Sequence, residues 1–285
     1  MSRTIESGIE PANLPATRPA VFSAEGVDRD GGSGETAVRV SGLTFRYGRR
    51  PVLDDIDLDV PAGSSYAVVG RNGVGKTSLV HLLCGLRSPE RGELTVLGRD
   101  PALHRAQLVE EIGVVLERPT APPDATLASL ARLTGTLRDV PVDTICSRLA
   151  RWDLPLGSRF GELSRGQQGQ VGLQLALAGA PRLLVLDDPF LGLDVVARAE
   201  LVEALIEEMA QRDLTVLFTS HDLDLVHRLA THVAVLRGGR VAASGPLDAM
   251  LRAESDGRSL EEILAGSGAD EPVAGSQHAM TGGGT

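Results

Sequence analysis

The chain has 285 residues, of which 42% are hydrophobic and 23% are charged, and its formal net charge at pH 7 is -10. This composition excludes a chain that is disordered throughout and is large enough for one sizeable domain with a smaller satellite. The acidic balance argues against a broad nucleic-acid-binding face, because phosphate backbones require a basic surface, so we expect no nucleic-acid partner.

The sequence also argues against a membrane-spanning chain, a secreted chain and a cysteine-based metal or disulfide framework. No stretch approaches the roughly 20 consecutive apolar residues that cross a bilayer, and the N-terminus has no apolar core of a secretion signal. The two cysteines, Cys84 and Cys146, are isolated and lack the spacing of a metal site or a disulfide framework. We therefore expect a cytoplasmic protein whose membrane role, if it has one, depends on a partner.

The chain order of the elements predicts an α/β fold. Residues 1–36 have the composition of a disordered leader, residues 37–265 form the predicted domain, and residues 266–285 have the composition of a disordered tail. Strand-like runs lie at residues 37–45, 53–60, 65–69, 92–97, 112–116, 183–187, 214–219, 233–236 and 240–243. Their alternation with helical patterns predicts an α/β domain that carries an antiparallel β subdomain near its start. Residues 126–178 keep helical spacing throughout, which predicts a helical insertion.

A glycine-rich loop is the strongest motif in the chain. It matches the pattern G-x-x-x-x-G-K-[ST] and consists of Gly70, Arg71, Asn72, Gly73, Val74, Gly75, Lys76 and Thr77. Lys76 is the only lysine among 28 basic residues, which indicates that a compact ammonium is needed where a guanidinium would not fit. A strand-like run precedes the loop and a helical pattern follows it, as a phosphate-binding loop requires. The loop therefore predicts a nucleoside triphosphate site, with the Thr77 hydroxyl on Mg²⁺.

Two other segments carry candidate polar groups. The apolar run 183–187 ends in Asp187, and Asp188 follows it. Such a carboxylate can bind Mg²⁺, but the pattern is equally typical of a buried strand that ends in a turn. Upstream, Ser164 and Gly166 lie at the start of a helix predicted over residues 168–178. A serine cap, a glycine and a helix N-terminus together indicate an anion site.

Taken with the segments Gly192-Leu193-Asp194 and Ser220-His221-Asp222, these motifs resemble, in order and spacing, the nucleotide-binding subunit of ATP-binding cassette (ABC) transporters. The likeness covers about residues 38–245 and implies a P-loop NTPase core of the ABC type that uses ATP and Mg²⁺. It implies that Tyr47 stacks on adenine, with a core-packed strand aromatic as the alternative, and that His221 hydrogen-bonds the γ-phosphate.

The resemblance also implies a dimer. In this family two subunits close head to tail on ATP, so that Ser164, Gly166 and Gln167 would bind the γ-phosphate held by the other protomer, and Asp194 would lie on the interface. The second subunit would be an identical chain or a related one. Integral membrane permease subunits, encoded separately, would complete the complex and hold this chain on the inner face of the cell membrane.

Two positions depart from the family pattern. Asp188 stands where the family usually has Glu to polarise the attacking water, and its carboxylate is one methylene shorter, so we predict slow hydrolysis with ATP-dependent closure retained. Glu117 stands where a Gln usually contacts Mg²⁺ and the membrane partner, and Arg118 follows it as a candidate cationic neighbour. Glutamate at this point is similar to what is seen in bacterial exporters of antibiotics and peptide bacteriocins.

These expectations support an ATPase, with Asp188 and His221 as catalytic residues, that powers export. The helical insertion and the loop at Glu117 would form the groove that receives a helix of the membrane subunit. The alternative is an ABC-type switch or assembly module that closes on ATP without transport, which Asp188 also favours.

Overall fold

The computed structural model describes residues 35–117 and 121–254. The expected leader apart from Glu35 and Thr36, the end of the expected domain, the expected tail and Arg118 lie outside the described residues; Thr36 is the first residue of the first strand. The strands are β1 Thr36–Tyr47, β2 Arg50–Pro61, β3 Ser65–Val69, β4 Arg91–Val96, β5 Ile112–Val115, β6 Leu183–Asp187, β7 Thr215–Ser220, β8 His232–Arg237 and β9 Arg240–Pro246. The helices are α1 Lys76–Leu83, α2 Arg105–Glu111, α3 Leu127–Arg138, α4 Val142–Ala150, α5 Arg165–Leu177, α6 Val195–Gln211, α7 Leu223–Leu229 and α8 Leu247–Glu254, with a 3-10 turn at Phe160–Glu162.

The main sheet has six strands in the order β5-β6-β7-β3-β8-β9. All neighbouring pairs are parallel except β8 with β9. Strands β3, β6 and β7 are buried along their whole length, because helices cover both faces of a parallel sheet and leave no polar side. This explains why their sequences are continuous apolar runs.

A second sheet of three antiparallel strands, β2-β1-β4, lies near the start of the domain. Residues of β2 alternate between buried and exposed from Asp57 to Val60, as one-sided burial requires. The buried faces of this sheet share one apolar core with β3 and α1. The predicted fold class, an α/β P-loop core with an antiparallel β subdomain and a helical insertion, is confirmed.

Residues 126–178 contain α3, α4, the 3-10 turn and α5. Their apolar side chains form a separate core that includes Leu127, Ile145 and Leu149, each fully buried. Helix α5 also packs on the main sheet, since a Cβ on Gly113 of β5 would meet the Ala176 carbonyl oxygen at 2.4 Å. The last helix of the insertion therefore belongs to both cores.

The start of α5 differs from the sequence prediction. Helix α5 begins at Arg165 and not at residue 168, because Ser164 and Gln167 form a reciprocal capping box that stabilises an earlier first turn. His232 lies half-buried in β8 and stacks on the Tyr66 ring with centroids 5.9 Å apart. Within the described residues, no helix combines the length and apolarity needed to cross a bilayer.

Candidate nucleotide-binding site

The carboxyl ends of parallel strands bring most of the predicted site residues to one edge of the main sheet. Strand β7 lies between β6 and β3, with Asp187 opposite Thr219 and Val69 opposite Ser220. The segments that leave these strands are the glycine-rich loop, the aspartate pair and the His221 turn. Such an edge, at the carboxyl ends of parallel strands, is where open α/β sheets bind ligands.

The glycines of the loop are required by its backbone path. Gly73 and Gly75 have positive φ angles of 81° and 117°, in the left-handed region that other residues rarely adopt. A Cβ on Gly75 would also lie 2.7 Å from Leu53, and one on Gly70 would lie 2.5 Å from the Leu236 carbonyl oxygen. The loop is therefore pressed against β2 and β8, and its last two residues, Lys76 and Thr77, begin α1. The N-cap residue of α1, Gly75, has no side chain to accept from the first N–H groups of the helix. An anion would supply the missing acceptors.

Lys76 begins α1 and is 7% exposed. Its Nζ donates a hydrogen bond to the Gly70 carbonyl oxygen at 2.6 Å and a longer one to the Arg71 carbonyl oxygen at 3.4 Å. Burial lowers the pKa of Lys76, and this outweighs the nearby carboxylates of Asp188, Asp187 and Glu117. A desolvated ammonium held by loop carbonyls can receive phosphate oxygens, because they would replace the hydration that burial removes.

The aspartate pair is organised by Thr219, a residue that the sequence analysis did not single out. The Thr219 hydroxyl donates to Asp187 Oδ1 at 2.8 Å and accepts from the Asp188 N–H at 2.9 Å. Asp187 is 2% exposed, and Asp188 Oδ2 lies 3.0 Å from His221 Nδ1. Only the register between β6 and β7 reveals Thr219, since its sequence context is that of an ordinary buried strand.

The donor set fits a magnesium ion bound through phosphates. Thr77 is exposed in the first turn of α1, Asp187 closes β6, and Glu117 is near enough to act on Lys76. Among the described residues no group of three or more His, Cys, Asp or Glu side chains could hold a metal by itself. Magnesium in nucleotide sites is usually held by one or two protein oxygens together with substrate phosphates, so this sparse set of oxygen donors is suitable.

Tyr47 ends β1 and is 45% exposed, so it is not the core-packed aromatic of the alternative interpretation. Its ring meets Phe45 edge to face, with centroids 4.9 Å apart, and the Arg87 guanidinium carbon lies 5.9 Å from its centroid. An exposed ring held by a second aromatic is a platform on which a nucleobase can stack.

The remaining predicted residues lie elsewhere. Ser164 and Gln167 hydrogen-bond each other, and the added Cβ of Gly166 would meet the Ala197 side chain at 2.8 Å. Asp194 caps α6 by accepting from the Val196 and Ala197 N–H groups at 3.0 and 2.9 Å. These residues form a second cluster, at the start of α5 and α6.

Helix α5 runs antiparallel to β5, with Gly172 near Val115 and Ala176 near Gly113. From Gly172 back to Ser164 the helix rises about 12 Å, which carries Ser164 beyond the carboxyl end of the sheet. It emerges beside the edge strand β5, three strand spacings or about 14 Å across the sheet from the glycine-rich loop on β3. The two clusters are therefore on the same end of the domain but apart from each other.

An apolar groove of about 460 Å³ opens between the core and the helical insertion. Its walls come from α1, α2 and β5 on one side and from α3 and α5 on the other. The lining includes Cys84, Leu86, Val109, Leu116, Leu137 and Arg138. Leu86, Val109 and Leu137 are 47%, 38% and 54% exposed, so the groove presents apolar surface to solvent.

A strand, a glycine-rich loop with a buried lysine and a second strand ending in carboxylates define a P-loop nucleotide site. A family model described as "ABC transporter" matches residues 53–191, and one described as "AAA domain, putative AbiEii toxin, Type IV TA system" matches residues 159–226.

Similar proteins and a solved structure agree with the match to the ABC transporter family model. The chain is 32% identical to an aliphatic sulfonates import ATP-binding protein of Burkholderia ambifaria, over 93% of this chain and 89% of the relative. It is 34% identical to a nickel import ATP-binding protein of Rhodobacter capsulatus, over 74% and 89%, and 32% identical to a Nod factor export ATP-binding protein of Rhizobium etli, over 74% and 68%. The solved structure of an ATP-binding subunit of an ABC transporter superposes with a TM-score of 0.73 at 29% identity, covering 81% of this chain and 98% of that one.

The chain belongs to the ABC transporter family. It is an ATP-binding subunit of that family, whose members hydrolyse ATP, as the sequence analysis predicted.

Proposed function

We propose that this chain binds Mg-ATP at the edge of its main sheet, closes with a second nucleotide-binding subunit, and powers export through separate membrane subunits. The observation that carries the proposal is Lys76, the only lysine of the chain, buried beside Asp187 and Asp188 at the start of α1. A cation that is costly to bury and is surrounded by carboxylates suits a triphosphate with its metal.

The glycine-rich loop, from Gly70 to Thr77, would wrap the phosphates with its N–H groups, and Lys76 would contact the terminal phosphates. Tyr47 would hold the adenine on its exposed face. The N-terminal end of α1 favours negative charge at the same point, because its N-cap residue, Gly75, has no side chain to accept from the first N–H groups.

Thr77, Asp187 and Glu117 would hold Mg²⁺, which supplies charge neutralisation on the phosphate oxygens when it is bound. Asp188 would accept the proton of the attacking water, and His221 would orient Asp188 and contact the γ-phosphate. Their contact of 3.0 Å supports this pairing. Because the Asp188 carboxylate is one methylene short, we expect slow turnover.

Ser164, Gly166, Gln167 and Asp194 would complete the site of a second subunit. The separation between the two clusters supports a dimer, since one chain offers its phosphate loop and its serine-bearing helix end at different places. An identical chain or a more active relative can fill this role, and the second case would make Asp188 the weaker of two catalytic sites.

The apolar groove between α2, α3 and α5 would receive an amphipathic helix of a membrane subunit. Its exposed leucines and valine offer the surface, and Glu117 follows β5 at its margin. The chain would thus lie in the cytoplasm on the inner face of the membrane, held there by its partner.

The direction of transport is proposed as export from the Glu117 variation, with support from the likeness to the Nod factor export protein. The sulfonates and nickel relatives are named as import proteins, and import is the opposite direction. An ATP-dependent switch without transport is the second candidate function, and the short Asp188 carboxylate is the observation that favours it.

The test is reconstitution with the membrane subunits in vesicles, with Mg-ATP on the side where this chain is exposed. Export predicts that ATP drives labelled substrate from that side into the vesicle lumen. Movement out of the lumen would overturn the direction, and ATP-dependent closure without any transport would support the switch. Vesicles with Lys76→Ala are the matched control.

A further inference from the structure

His221 is held mainly by the turn on which it lies. Strand β7 ends at Ser220 and α7 begins at Leu223, so His221 occupies a two-residue connection. Its side chain is 43% exposed, whereas that of Asp188 is 13% exposed. Because packing restrains so little of the ring, the backbone of the turn decides whether His221 Nδ1 meets Asp188.

Asp222 shapes that backbone. Its N–H donates to the Ser220 hydroxyl at 3.0 Å, and its Oδ1 accepts from the Leu225 N–H at 3.2 Å, which caps α7. Its other carboxylate oxygen accepts from the Arg198 guanidinium. Partial burial alone would raise the pKa of Asp222, but the bonds from Arg198 and Leu225 outweigh it and hold the pKa below its usual value.

Arg198 comes from the first turns of α6. Its N–H donates to the Asp194 carbonyl oxygen at 3.0 Å, so it lies one helical turn after the residue that caps α6. The side chains of Arg198 and Asp222 are 35% and 29% exposed. Because the pair is partly shielded from water, its electrostatic attraction is stronger than that of a fully solvated surface ion pair. The ion pair therefore links the start of α6 to the His221 turn.

We propose that Arg198 is a positioning residue, which holds His221 against Asp188 through its ion pair with Asp222 and thereby ties the catalytic pair to the start of α6. This inference rests on the proposed function, because the reaction it serves is ATP hydrolysis at Asp188. Arg198 contacts neither nucleotide nor water in this role; it acts only through Asp222.

The test compares Arg198→Ala, Arg198→Lys and Asp222→Asn in the assembled complex. Asparagine can still cap α7, so Asp222→Asn removes the ion pair while keeping the cap. We expect kcat to fall about tenfold in Arg198→Ala and Asp222→Asn, because a small misplacement of a catalytic pair is costly. KM and the Mg-ATP Kd of the isolated chain should stay within about twofold, and Arg198→Lys should recover part of the rate.

The double variant Arg198→Ala with Asp222→Asn should be no slower than the slower single variant, since both remove one interaction. The matched control is Arg240→Ala, which breaks the surface pair of Arg240 with Asp54 and should leave kcat unchanged. Lower thermal stability with unchanged kcat, or additive losses in the double variant, would overturn the inference. An inactive wild-type complex would instead refute the proposed function.

Discussion

The edge of the main sheet and the start of α5 both offer N–H groups and polar side chains to an anion, but they differ in how their groups are satisfied. At the sheet edge, Lys76 is buried and donates to two carbonyl oxygens of the loop, and Asp187 is buried against Thr219. At the start of α5, Ser164 and Gln167 bond each other and are exposed. The comparison shows that the first cluster holds buried charge, whereas the second is an exposed helix end whose polar side chain and backbone groups already bond each other.

The largest expected change in nucleotide affinity comes from a substitution at the sheet edge. Lys76→Ala removes the buried ammonium and should raise the Kd for Mg-ATP of the isolated chain about 100-fold, as the loss of charge-assisted hydrogen bonds predicts. Titration with a fluorescent nucleotide measures it. Arg39→Ala, which removes a surface ion pair, is the control. Unchanged affinity in Lys76→Ala would remove the distinction between the two clusters.

The next effect concerns turnover at the same edge. Asp188→Glu restores the longer carboxylate and should raise kcat of the assembled complex about tenfold, although the positive φ of 46° at this position favours Asp and limits the gain. Asp188→Asn, of equal size but without the charge, should abolish turnover. Equal rates for the wild type and Asp188→Glu would show that the shorter side chain is no handicap.

A smaller effect should separate the second cluster from the first. Ser164→Ala should weaken ATP-dependent dimerisation about tenfold while the Kd for ATP of the isolated chain stays the same. Thr126→Ala is a matched control, because Thr126 caps α3 through Ser129 at 3.2 Å, as Ser164 caps α5 through Gln167. Each variant should lose about 1 kcal/mol of helix stability. If both weaken dimerisation equally, Ser164 is only a cap.

The smallest effect reports whether the domain core and the helical insertion stay packed together around Cys84. Cys84 follows α1 and lines the apolar groove, opposite α3 and α5. Burial, with a smaller contribution from Asp187, raises the pKa of its thiol to about 12. Only about one molecule in ten thousand would carry the thiolate at pH 8, so alkylation by iodoacetamide should be slow and rise about tenfold per pH unit up to pH 11. Cys84→Ser assigns the signal. Fast labelling at pH 8 would mean that the groove opens.

Much of this arrangement could be predicted from the chain because it depends on local patterns. The apolar runs of β3, β6 and β7 identify strands that are buried on both faces, and glycines with a lone lysine identify the phosphate loop. The sequence predicts the start of α5 three residues too late. The capping box of Ser164 and Gln167 stabilises the first turn, whereas Gly166 within that turn disfavours a helix, and the sequence pattern does not show which effect is larger. The residue type of Glu117 marks it in the sequence as a candidate, but its nearness to Lys76 depends on β5 lying beside β6.

The sequence by itself determined the order of elements, the phosphate loop and the residue types available for catalysis, because these follow from spacing, backbone conformation and side-chain chemistry. Only the tertiary structure decided which groups meet. The parallel register places Thr219 between Asp187 and Asp188 and brings His221 to the same edge, while α6 delivers Arg198 to Asp222. The physical reason is that strand pairing and helix packing join residues far apart in the chain, and no local pattern contains those distances.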